Sequence, residues 1–113
     1  MFSIQRASRV ICTIVVALSS VGSAAAQDQA RGAKVYADQK CMVCHSIAGK
    51  GNAKGPLDAV GAKLSAADIH AWLVDAVGQT AKTKAPRKPA MKNYTLPKED
   101  LDALVAYLAT LKK

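Results

Sequence analysis

Aromatic residues are scarce in this 113-residue chain, which has only Phe2, Tyr36, Trp72, Tyr94 and Tyr107. So few rings argue against a groove that stacks single-stranded bases. Acid is also short, with 8 Asp and Glu against 16 Lys and Arg, for a formal charge of +8. With so few base-stacking residues, that excess suits an acidic protein or an anionic lipid rather than nucleic acid. No apolar run reaches the roughly 20 residues of a membrane span. Nor is there an internal repeat, a heptad series or a stretch that alternates like a strand. Histidine is limited to His45 and His70, and cysteine to Cys12, Cys41 and Cys44.

The main apolar run is Val10 to Leu18, preceded by Arg6 and Arg9 and followed by Ala24-Ala25-Ala26. A positive start, a short apolar middle and an A-x-A site make residues 1–26 a secretory signal peptide. An uncleaved anchor is the alternative. Cys12 lacks the small residues before it that a lipoprotein signal would show. The expected mature chain is 27–113, a single domain exported to the periplasm, with no stable membrane insertion. Cleavage removes Arg6 and Arg9 and no acid, so the charge becomes +6. About 87 residues make a marginal core unless something staples it. Cys41 and Cys44 then remain in an oxidising compartment, where free vicinal thiols do not last.

Cys41-Met42-Val43-Cys44-His45 is a C-x-x-C-H sequence, the attachment pattern of a c-type haem. Two thiols can add to the haem vinyl groups, and the adjacent imidazole can reach the iron as a neutral ligand. Two intervening residues curl the backbone into about one turn, which brings both sulfurs to one ring edge. Three other fates compete. A thioredoxin-like dithiol needs a βαβ setting, and none is visible. Half a zinc site would find only His70 downstream and no further cysteine. A structural disulfide is the third. A buried haem would also supply the flat apolar body that the side chains lack.

Around this motif the chain reads as helices. The first runs up to the motif with Asp28 as its cap and Gly32, Val35 and Tyr36 on one face. Gly49 to Leu57, rich in glycine, is a loop. Within it the Pro56 carbonyl is a candidate acceptor for the second ring N–H of His45, a bond that would fix the imidazole. Ser65 to about Gly78 is the second helix, opened by Ser65 and Asp68 in a capping-box pattern. Its apolar face is Ile69, Trp72, Leu73, Ala76 and Val77. Trp72 is most simply core, although its indole N–H would also suit a haem propionate. His70, on the flank of that face, reads as a surface residue, with a distal iron ligand as the alternative.

Gln79 to Asn93 is a basic connector with Lys82, Lys84, Arg87, Lys88 and Lys92. It also carries Met91. Met42 lies inside the C-x-x-C turn, too close to reach the far side of a haem ring, so Met91 is the thioether free to take the sixth position on iron. The final helix, Lys98 to Leu111, shows the clearest stripe: Leu101, Leu104, Val105, Leu108 and Leu111. Acids lie at its start and lysines at its end, as the helix dipole favours. Pro97 fits its first turn, but no cap is evident.

In order, Gly32-x-x-x-Tyr36, C-x-x-C-H, Gly55-Pro56-Leu57, the Trp72 helix, Arg87 to Tyr94 and Leu101 to Leu111 resemble the class I monohaem cytochrome c family. The resemblance covers nearly all of 27–113. It implies an all-α fold of three to five helices wrapped round one covalent haem c, with the first and last helices crossing at Gly32 and Tyr36. It implies His45 and Met91 as iron ligands, Cys41 and Cys44 as attachment points, the Pro56 carbonyl as partner of His45, and Trp72 near a propionate. Many members have proline after the ligand methionine, where this chain has Lys92. A six-coordinate iron implies a one-electron carrier rather than an enzyme. The expected protein is a monomer meeting an acidic redox protein or membrane oxidoreductase transiently. Alternatives are a subunit of a larger dehydrogenase, or a haem enzyme or gas sensor with a labile sixth ligand.

Overall fold

The computed structural model describes residues 24–113, so nearly all of the expected signal peptide, 1–26, lies outside the described residues. The elements are α1 (Ala24–Asp38), a single 3-10 turn (Cys41–Val43), β1 (Ser46–Ile47), β2 (Lys50–Gly51), α2 (Val60–Lys63), α3 (Ala66–Val74), α4 (Ala76–Thr83) and α5 (Lys98–Ala109). The fold is all-α, as expected. The exception is a two-residue antiparallel pair in which Ser46 faces Gly51 and Ile47 faces Lys50.

The crossing of α1 and α5 is the frame. A Cβ on Gly32 would stand 2.3 Å from Ala103 O and 2.4 Å from Tyr107 Cβ, so only glycine lets the two backbones approach this closely. One turn on, the Tyr36 and Tyr107 rings meet edge to face with centroids 6.3 Å apart. Val35, Tyr36, Ile69, Leu73, Leu104 and Leu108 form the buried cluster. The stripe read from the sequence therefore does face inward in α5.

Several boundaries differ from expectation. Asp28 lies inside α1 and does not cap it. The helix opened by Ser65 is two helices. The Ser65–Asp68 capping box is complete, but at Asp75 the backbone leaves helical geometry (φ −141°, ψ 53°) and its side chain accepts from Gly78 N to start α4. That break turns the face: Ile69, Leu73 and Ala76 are buried while Val77 is 62% exposed. The basic connector is accordingly helical up to Thr83. Pro97 holds the cap position of α5 with no side-chain capping bond, and α5 ends at Ala109, two residues before Leu111.

Candidate haem-binding site

α1 delivers the C-x-x-C-H segment through Lys40, whose left-handed backbone (φ 56°) turns the chain into the 3-10 turn. Cys44 N and His45 N both donate to Cys41 O, at 3.1 and 2.9 Å, which closes the segment on itself. Cys41 is half-buried and Cys44 exposed, and neither is in a disulfide. Burial pushes the Cys41 thiol up, with the nearby Lys92 charge opposing. Asn52 braces the turn from outside: its N–H is shared between Met42 O at 3.1 Å and His45 O at 3.0 Å. Its amide also donates to Val43 O at 3.2 Å.

His45 Nδ1 lies 3.0 Å from Gly55 O. With Nδ1–H donating to that carbonyl, Nε2 keeps its lone pair for a metal. Burial lowers the His45 pKa, the Gly55 bond opposes this and the Arg87 charge lowers it again. The ring is thus kept as the neutral species a ligand must be. The acceptor differs from the expected Pro56 carbonyl, for a reason of backbone geometry. Ser46 bridges Pro56 in parallel fashion, donating to Gly55 O at 3.1 Å and accepting from Leu57 N at 2.8 Å. In such a bridge the flanking peptide groups face Ser46 and the carbonyl of Pro56 itself faces away.

Met91 is half-buried and packs against the central cluster, as does Cys41. Its segment is fastened downstream, where Tyr94 N donates to Leu73 O at 2.8 Å and Asn93 Oδ1 accepts from Val77 N at 2.9 Å. Trp72 is not in the buried core. It is half-exposed and lines a cavity of about 540 Å³ with Pro56, Val60, Leu64 and Thr83. A second cavity of about 520 Å³ is bounded by Val43, Cys44, Asn52, Lys54, Arg87 and Pro89. His70 is exposed on α3.

These residues fit a covalent haem and fit the other fates poorly. Among the described residues no group of three or more His, Cys, Asp or Glu could hold a metal, which disfavours zinc. Among the described residues the only strands are the two-residue antiparallel pair, not the βαβ setting of a dithiol enzyme. What remains is two thiols in no disulfide and an imidazole held through Nδ1, with Cys44 lining one of two cavities large enough for a sizeable ligand; Cys41, His45 and Met91 line neither. Sequence reasoning missed Gly55, Asn52 and the placement of Arg87. Only Gly55, next to proline, had a usable signal.

An all-α fold carrying a closed C-x-x-C-H turn defines a haem-c-binding protein. The chain belongs to the cytochrome c family, whose sequence pattern matches residues 29–112. Membership implies covalent haem c and an electron-carrying role. The chain is also 30% identical over 91 residues to a cytochrome c oxidase subunit 2 of Alkalihalophilus pseudofirmus, a match covering 73% of this chain. The match spans about a quarter (25%) of that relative's length. No solved structure matches the chain. No described helix is long and apolar enough to cross a membrane.

Proposed function

We propose that this protein is an exported monohaem carrier of single electrons, in which Cys41 and Cys44 would attach the haem and His45 and Met91 would hold its iron. The observation that carries the reading is the closed C-x-x-C-H turn with His45 Nδ1 committed to Gly55 O at 3.0 Å. Bound haem supplies a one-electron couple. The chain's own work is to hold and orient. Gly55 fixes the imidazole, Asn52 braces the carbonyls of Met42, Val43 and His45, and Asn93 and Tyr94 anchor the segment that presents Met91. With His45 and Met91 both holding the iron, no position would be left for a substrate, so the protein would pass electrons rather than transform a molecule. The partner is an acidic redox protein or membrane oxidoreductase, met transiently in the periplasm.

A second reading has the chain as a subunit of a larger redox complex. It is favoured by the similarity to one part of an oxidase subunit. Purification of the native protein in fixed ratio with another chain would support it. The main test is the absorption spectrum of the exported protein after acid-acetone extraction. Haem should stay with the wild-type chain and be lost from a C41A/C44A double variant. The oxidised form should show the weak methionine-to-iron charge-transfer band. Extractable haem in the wild type, or no such band, overturns the respective half of the proposal.

A further inference from the structure

Arg87 stands apart from the cations around it. Lys82, Lys84, Lys88 and Lys92 are exposed, whereas Arg87 is half-buried. A Cβ on Gly55 would stand 2.0 Å from Arg87 Nη1, 3.0 Å from Arg87 Cζ and 2.3 Å from Cys44 O. The guanidinium therefore occupies the notch that Gly55 leaves by having no side chain. This is the same residue whose carbonyl accepts from His45 Nδ1. A planar guanidinium can lie against backbone in such a notch, and its charge cannot be given up.

We infer that Arg87 is a tuning residue that acts through His45: held in the Gly55 notch, it keeps a fixed positive charge behind the ligand imidazole and raises the reduction potential of the iron. The inference rests on the reading that His45 ligates haem iron. One-electron reduction lowers the charge at iron by one, so a fixed cation nearby stabilises the reduced state over the oxidised one. One unit of charge near a redox centre shifts its reduction equilibrium on the order of tenfold, which is about 59 mV for a one-electron couple. The arrangement also explains why position 55 cannot bear a side chain. Any Cβ there would displace the guanidinium or strike Cys44 O.

The experiment is an equilibrium redox titration of the holoprotein with dithionite and ferricyanide, for wild type and for Arg87→Lys, Arg87→Gln and Arg87→Glu. We expect R87Q lowered about tenfold in the reduction equilibrium, R87E lower again, and R87K between wild type and R87Q, because lysine keeps the charge but not the planar fit. A merely structural arginine would not sort the variants by charge. R87K falling as far as R87Q, or R87E no lower than R87Q, overturns the inference. Should R87E not accumulate, R87K against R87Q decides alone. If the wild-type protein carries no covalent haem bands, it is the proposed function that fails. Haem bands with a potential indifferent to charge at position 87 sink this inference only.

Discussion

Tyr36 is 8% exposed, and its hydroxyl has no hydrogen-bond partner among the described residues. A buried orphan of this kind costs about 1–3 kcal/mol. Burial also pushes its pKa up to about 12, with smaller contributions from Cys41, Tyr107 and Asp58. The unfolded phenol titrates at about 10, so the native state resists ionisation. The stability this represents is present below about pH 10 and lost as pH rises through about 12. Lys34 and Lys98, raised by their bonds to Asp38 and Asp102, act in the same direction. Only a difference curve therefore isolates the tyrosine. Tyr36→Phe should stabilise the holoprotein by about 1 kcal/mol at neutral pH and flatten the decline at alkaline pH, as read from denaturant midpoints. A less stable variant would mean that the hydroxyl finds a partner once haem is bound. At Met91 the expected effect is on ligand access. Met91→Ala should let ferrous iron bind carbon monoxide readily and abolish the charge-transfer band. An unaltered spectrum would move the sixth ligand elsewhere, with His70 the first suspect despite its exposure.

Helices were legible where the signal was local and strong. The stripe in α5 and the Ser65–Asp68 box are both present, because period and cap chemistry are written in neighbouring residues. The break at Asp75 was not legible. Ala76 and Val77 continue the apolar spacing, and only the Asp75 side chain turning to Gly78 N ends one helix and starts another. The acceptor for His45 was misplaced by one residue because it depends on the Ser46 bridge, a contact between loops that no spacing rule encodes. Gly32 was legible as a close approach, and its consequence is a prediction at this scale. Gly32→Ala puts a Cβ 2.3 Å from backbone at Ala103, so α1 and α5 must separate. The loss should be about 1–3 kcal/mol, seen as a lowered melting temperature of the holoprotein. Ser65→Ala should cost about 1 kcal/mol and leave the haem spectrum unchanged. A spectrum that changed with it would mean that α3 positions the site more directly than its capping box suggests.

Across the whole molecule the positive charge is uneven in a useful way. The exposed cations Lys82, Lys84, Lys88 and Lys92 all lie between α4 and the segment just past Met91, within eleven residues of one another. Lys88 lines the cavity beside Val43 and Cys44, and Val43 is itself 66% exposed. Cations around an exposed apolar residue at the attachment turn suit a brief encounter with an acidic surface, where steering speeds arrival and contact area stays small. The expected signature is kinetic. At ionic strength near 0.15 M the Debye length is about 8 Å, so raising salt should slow second-order electron transfer to an acidic partner steeply. Lys88→Glu should slow it at low salt while leaving spectrum and potential near wild type, because this side chain is solvated and Arg87, not Lys88, lies against the His45 loop. The two charges are thus separable: position 88 should move the rate without the potential, and position 87 the potential. A transfer rate indifferent to both salt and Lys88→Glu would leave these lysines as solubilising groups and place the docking surface elsewhere.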